Sequence, residues 1–169
     1  MSIGARLILV IENAKGESGN SAVEYYCEIG ESDDRLRSQL DLFVAMTSQR
    51  VFDRLRTKET LGYIVFSGVC STQAVLGYRI LVQSEKDPIV IEKRIEALLV
   101  ELEGFLSSIT DEQFNQFKSA AIHKQTQEPQ DLLHEGDIVW EAISSRRYDF
   151  DKGDFHAYFN IDPSKRYSR

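Results

Sequence analysis

Residues Leu55–Gly68 read LRTKETLGYIVFSG and join a charged helix end to an apolar strand. Arginine, lysine and glutamate residues stand where an apolar stripe of helical spacing ends, and Gly62 and Tyr63 then open a run of strand-forming residues. By residue chemistry alone this is a solvated helix end, because the helix dipole favours cations at its carboxyl terminus. The stretch therefore divides the chain into a helix before it and strands after it.

Four segments have the patterns of β-strands. Ala5–Asn13 is rich in β-formers, and Ser21–Ile29 alternates apolar and polar residues with a period of two until Gly30, where we expect the strand to end. After the opening stretch, Tyr63–Val69 and Leu76–Ser84 are short strand-like runs. The few residues between these last two predict an antiparallel hairpin.

Helices are predicted on both sides of the hairpin. Ser32 or Asp33 can cap the first helix, and we expect that helix to bend or break near Ser48. Asp87-Pro88 is a strong helix start, because a capping carboxylate precedes a proline at the first helical position. Thr110–Gln113 has the composition of a capping box for the next helix.

A last helix is predicted over Gln130–Arg146, with Trp140 in the core. Asp162-Pro163 repeats the helix-start signal shortly before the chain stops at Arg169, so we expect a fragment or an early truncation whose last helix is missing. The element order ββαββααα predicts an α/β (α+β) fold. Residues 1–169 would form one domain, with a single mixed, largely antiparallel sheet and helices packed on one face.

Composition narrows the functional classes. The 169 residues include 20 Lys+Arg and 27 Asp+Glu, and the formal charge of −7 argues against a nucleic-acid surface. No apolar run approaches the roughly 20 residues of a membrane-spanning helix, and no secretory signal is present. Cys27 and Cys70 are far apart and have no metal or redox spacing, so we expect reduced thiols and a cytoplasmic protein.

Catalytic motifs are missing from the sequence. His134-Glu135 begins like HExxH, but the second ligand position is Ile138, and no histidine starts an H-x-x-E-H pattern. Phosphate-binding and nucleophile-elbow motifs are absent as well. Asp149–Asp154 lacks calcium-loop spacing and is typical of an acidic loop. We therefore expect neither a metal nor a cofactor in this chain.

The string RTKETLGYIVFSG resembles the signature in the C-terminal half of the insulysin (insulin-degrading enzyme) family, relatives of pitrilysin among the inverted zinc peptidases. The similarity extends over most of the chain from about Glu24 onward. It continues in four further segments: Tyr78–Lys86, Arg94–Ala97, Ser107–Gln113 and Tyr148–Asp151.

Members of this family have four homologous α/β domains, arranged as two halves that enclose a peptide-sized chamber. The first domain carries the H-x-x-E-H zinc site, and the last faces it across the chamber. The resemblance implies that this chain is the last, zinc-free domain of a zinc metalloendopeptidase. It would then be inactive alone, with peptide substrates and the remaining domains as its partners and with zinc on another domain.

The resemblance also implies roles for three residues. Tyr63 would hydrogen-bond the scissile carbonyl oxygen, and Arg56 would hold the substrate backbone beside it. Both side chains are donors suited to developing negative charge. Phe52 would line the pocket beyond the scissile bond, unless it is a core residue. Gly62 would permit the turn that orients Tyr63.

A second interpretation is a non-catalytic structural or interaction module with the same fold, and retention of both Arg56 and Tyr63 favours the peptidase. An isolated domain of either kind exposes an apolar face meant for its neighbour, so we expect a homo-oligomer that depends on concentration.

Overall fold

The structure of the protein is a computed structural model that describes residues 19–72, 75–126 and 131–144. Three strands, four α-helices and one π-helical segment occur in the described residues. In chain order they are β1 (Ser21–Glu31), α1 (Asp34–Phe52), a π-helical segment (Asp53–Lys58), β2 (Ile64–Thr72), β3 (Val75–Ser84), α2 (Pro88–Ser108), α3 (Asp111–Thr126) and α4 (Leu132–Ser144).

The strands form one antiparallel sheet in the order β1-β3-β2. The predicted hairpin between β2 and β3 is confirmed, and fewer residues separate its two strands than expected. Two strand ends were predicted wrongly. β1 passes through Gly30 because a register irregularity after Glu28 skips Ile29, and pairing with β3 resumes at Gly30, opposite Leu76. β2 begins at Ile64, since Tyr63 still belongs to the preceding loop.

The core lies between one face of this sheet and helices α1 and α2. Alternate side chains of β3 point into it, as the period of two requires. The opposite face carries Arg79 and Leu81, which are partly exposed. Helices on one face of an antiparallel sheet confirm the predicted fold class. The buried apolar residues of this core are Leu40, Val51, Leu55, Leu61, Leu76, Tyr78, Ile80, Val82, Ile91, Ile95, Leu98 and Leu102.

Helix starts follow the predicted chemistry. Asp33 caps α1 by accepting a hydrogen bond from the Leu36 amide at 2.6 Å, and Asp87 caps α2 in the same way ahead of Pro88. Thr110 and Gln113 form a reciprocal capping box at the start of α3. These contacts involve residues within one turn, which is why the sequence predicts them well.

The predicted break near Ser48 is wrong. α1 continues to Phe52, and the departure from α-helical geometry begins at Asp53. The polar residue beside the expected break is accommodated inside the helix, because the buried Thr47 hydroxyl donates to the Phe43 carbonyl oxygen at 2.7 Å.

Trp140 was predicted in the core, and this is also wrong: its side chain on α4 is 67% exposed. The strand predicted over Ala5–Asn13 and the helix start at Asp162-Pro163 lie outside the described residues. Within the ranges given above, no helix is long and apolar enough to cross a bilayer.

Candidate functional site

The π-helical segment Asp53–Lys58 places Arg56 at the end of a long helix. Its wider turn is closed by the Glu59 amide, which donates to the Arg54 carbonyl oxygen at 3.1 Å. Leu55 anchors the segment in the core, where its side chain is fully buried. The single wide turn changes the direction of the following side chains relative to a continuous α-helix.

A short loop, residues 59–63, connects this segment to the sheet and is tightly held. Thr60 has a φ of 46°, the left-handed conformation that reverses the chain after the helix. Leu61 is buried, its amide donates to the Leu55 carbonyl oxygen at 2.9 Å, and its carbonyl oxygen accepts from the Ser84 hydroxyl. Every step of the loop is thus attached to the core or the sheet.

Gly62 is required by this close approach. A Cβ atom at this position would lie 2.0 Å from the Gln83 carbonyl oxygen, which belongs to the backbone of β3 and cannot rotate away. The glycine therefore lets the chain pass directly over the end of β3 and deliver Tyr63 to the edge of the sheet.

Arg56 and Tyr63 are brought together at this point. Nη1 of Arg56 donates to the Gly62 carbonyl oxygen at 2.8 Å, which holds the guanidinium on the peptide that leads into Tyr63. The Tyr63 side chain is 49% exposed, and its hydroxyl oxygen accepts a hydrogen bond from Nδ2 of Asn20 at 3.3 Å. The phenolic proton is therefore available to an external acceptor, and the guanidinium has further N–H donors.

Phe52 ends α1 one turn before Arg56 and is 42% exposed. Its exposure excludes the alternative of a core residue. A partly exposed aromatic ring near the two polar side chains is compatible with a pocket wall, which stays a prediction.

The opposite side of the loop is held by charge. The Glu59 carboxylate accepts two hydrogen bonds from Arg94 of α2, at 2.6 Å from Nε and 2.5 Å from Nη2. Nε of Arg54 approaches the same carboxylate at 3.0 Å, and Nη2 of Arg54 pairs with Glu101 at 2.8 Å. Lys86 also donates to the Glu59 backbone carbonyl at 3.4 Å.

These contacts change how the Glu59 carboxyl titrates. The hydrogen bonds from Arg94 lower the pKa of Glu59 below its ordinary value of 4.5, and they outweigh the opposing effect of burial. The same bonds raise the pKa of the Arg94 guanidinium. The interpretation of this helix end as fully solvated is therefore wrong for Glu59, whose side chain is 13% exposed.

Sequence reasoning missed two partners in this site. Asn20 lies 43 residues before Tyr63 and Arg94 lies 35 residues after Glu59. Glu59 stands inside the quoted motif and could have been singled out there. Nothing in the local pattern around Asn20 or Arg94 indicates which side chain each one contacts.

Within residues 19–72, 75–126 and 131–144, no three His, Cys, Asp or Glu side chains lie together in a group that could hold a metal ion. His123 is exposed on α3. Asp149–Asp154 lies beyond the described part of the chain.

Comparisons with known proteins give a consistent result. Residues 42–140 match the family model described as PQQ synthase PqqF-like, C-terminal lobe domain 4. The insulin-degrading enzyme of Homo sapiens is 35% identical over 133 residues, which cover 79% of this chain and 13% of that protein. A nardilysin-like protein of Arabidopsis thaliana is 33% identical over 153 residues, which cover 88% of this chain and 15% of that protein.

A solved structure shares the fold. The crystal structure of pitrilysin superposes with a TM-score of 0.70 at 26% identity, over 89% of this chain and 16% of that chain. This chain therefore spans less than one sixth of the length of the relatives named here.

Proposed function

The chain belongs to the PqqF-like C-terminal lobe domain 4 family and is a C-terminal domain of an insulysin/pitrilysin-type zinc metallopeptidase. We propose that this domain binds the peptide substrate and completes the active site of the parent enzyme. The observation that carries the proposal is the pairing of Arg56 with the Gly62 carbonyl beside an exposed Tyr63 hydroxyl.

Tyr63 acts as a hydrogen-bond donor to the scissile carbonyl oxygen. Its oxygen accepts from the Asn20 amide, so its own proton can point toward the substrate, and an accepted bond strengthens a donated one. A donor placed where negative charge develops lowers the barrier more than one that binds the ground state.

Arg56 binds the substrate backbone next to that carbonyl. The bond to Gly62 immobilises the long side chain before substrate arrives, so that less rotamer freedom is lost on binding. Phe52 provides an apolar surface for a substrate side chain one helical turn away.

The metal belongs elsewhere in this proposal. The described residues hold no group of ligands that suits zinc, so we assign zinc and the general base to another domain of the parent. When bound there, zinc would polarise the scissile carbonyl and activate water. This chain alone is then inactive, and chelator-sensitive hydrolysis of a fluorogenic peptide by the 169-residue chain would contradict the proposal.

The decisive variant is Tyr63→Phe in the full-length parent peptidase. We expect kcat to fall by about 10²-fold with little change in KM, as loss of one oxyanion donor does in other hydrolases. Tyr26→Phe is the matched control, because Tyr26 is similarly exposed, at 41%, on β1 and has no assigned role. Unchanged kcat for Tyr63→Phe would favour the alternative of a non-catalytic interaction module.

The partners proposed for this domain are peptides and the other domains of the parent. The cytoplasm is the proposed compartment, on the ground that Cys27 and Cys70 lie 43 positions apart and lack the spacing of a disulfide framework or a metal site. Burial raises the pKa of the Cys27 thiol, which makes this thiol less reactive.

A further inference from the structure

Glu59 differs from an ordinary surface carboxylate. Arg94 grips it through two parallel N–H···O bonds of 2.6 and 2.5 Å, and Arg54 approaches from the other side at 3.0 Å. The comparison within this chain is the pair formed by Arg79 and Glu24, which has one contact of 3.5 Å between side chains exposed at 37% and 50%. Bidentate geometry fixes direction as well as distance, whereas a single long contact does not.

The ion pair of Glu59 with Arg94 matters because of where Glu59 lies in the chain. Glu59 is the first residue of the loop that ends at Tyr63, and Arg94 lies on α2, a helix whose apolar face packs in the core. The loop is therefore attached to α2 at its start and to β3 at its end, where Ser84 binds the Leu61 carbonyl oxygen. With both ends attached, the conformation of the intervening residues is strongly restricted.

We propose that Glu59, held by Arg94, is a positioning residue that orients the loop carrying Tyr63 and the peptide that receives the Arg56 guanidinium. This inference rests on the proposed function for its effect on catalysis. The structural claim does not depend on the proposed function: the Tyr63 ring loses its fixed orientation when the Glu59 carboxylate is neutralised. Catalytic groups must be placed to within a fraction of an ångström. A reversing loop that is attached at only one end does not hold a side chain that closely.

The chain offers a matched control. Glu101 also pairs with Arg54, at 2.8 Å, but it lies on α2, is 51% exposed and reaches the loop indirectly, through Arg54. Glu101→Gln removes the same charge and one ion pair of Arg54, and leaves the bidentate contact of Glu59 with Arg94 intact.

The first test measures position directly in the 169-residue chain. 3-Fluorotyrosine is introduced at position 63, and its ¹⁹F resonance is recorded in the wild type, Glu59→Gln and Glu101→Gln. We expect one narrow resonance in the wild type and in Glu101→Gln. In Glu59→Gln we expect a broadened or second resonance. An unchanged resonance in Glu59→Gln, with the protein still folded, would overturn the inference.

The second test is a double-mutant cycle in the full-length parent peptidase. Glu59→Gln should lower kcat roughly tenfold with KM within about twofold, and should cause a clearly smaller loss in the Tyr63→Phe background. Arg94→Lys keeps the positive charge but cannot donate two parallel hydrogen bonds to the Glu59 carboxylate. It should therefore lower kcat to a similar extent. An equal loss in both backgrounds would mean a general structural role and would contradict the proposal.

The outcomes separate the two proposals. If Tyr63→Phe is without effect, the proposed function fails, and the ¹⁹F spectra still decide whether Glu59 positions the ring. If Tyr63→Phe lowers kcat and Glu59→Gln does not, the proposed function stands and the positioning role is overturned.

Discussion

Helices α2 and α4 carry similar apolar stripes and have opposite environments. α2 buries Ile91, Ile95, Leu98 and Leu102 against the sheet. On α4, Leu132 and Leu133 are 82% and 81% exposed, and Trp140 is 67% exposed. Among the α4 residues whose side chains are described, Ala142 is the buried one.

The difference shows that an amphipathic pattern indicates a surface to be covered without saying what covers it. α2 finds its partner in the strands that precede it, so its stripe contributes to the stability of the sheet. The stripe of α4 has no such partner in the described sheet.

The largest expected effect is Ile95→Ala on α2. Ile95 is fully buried, so truncation removes transfer energy and leaves a cavity, for a loss of about 2–5 kcal/mol in the free energy of unfolding. Urea unfolding of the 169-residue chain measures this loss. The matched change Leu133→Ala on α4 should stay within about 0.5 kcal/mol. A loss in Leu133→Ala as large as that in Ile95→Ala would show that α4 packs in solution.

A smaller effect is expected from two helical glycines. Gly104 on α2 and Gly136 on α4 each have open space where a Cβ would lie. Gly104→Ala should raise the free energy of unfolding by about 0.5–1 kcal/mol, because alanine loses less backbone entropy in a helix. Gly136→Ala should leave the main unfolding transition unchanged while increasing helicity by circular dichroism. Equal stabilisation by both variants would mean that α4 unfolds together with α2.

The smallest effect concerns pH and the contact between α2 and the loop. The folded-state pKa of Glu59 is lowered, so its stabilising contribution is present above the ordinary value of 4.5 and is lost as pH falls through the folded pKa. The difference in unfolding free energy between wild type and Glu59→Gln should therefore be constant above about pH 5.5 and shrink below 4.5. A difference that grows on acidification would have the wrong sign for this contact.

Local chemistry explains most of what could be predicted. The Asp87-Pro88 start, the capping box at Thr110 and the hairpin depend on residues close in sequence, and all are confirmed. The break expected near Ser48 is wrong, since the Thr47 hydroxyl is bonded inside the helix and α1 continues to Phe52. The core position of Trp140 failed because apolar character does not supply a partner surface.

The candidate site, too, could be predicted from the sequence only in part. The motif alone drew attention to Arg56 and Tyr63, and the resemblance assigned their roles, which stay predictions. Their shared setting depends on a backbone approach of Gly62 to Gln83 that no local pattern encodes.

By itself the sequence determined the type of each strand and α-helix in the described residues, the helix caps and the family to which the motif points, because these depend on neighbours within a few residues. The tertiary structure decided which apolar stripe is buried and which carboxylate is held. Glu59 meets Arg94 and Tyr63 meets Asn20 across 35 and 43 residues, respectively. Contacts of that separation arise when packing of the helices on the sheet brings distant segments together, and a local pattern contains no information about them.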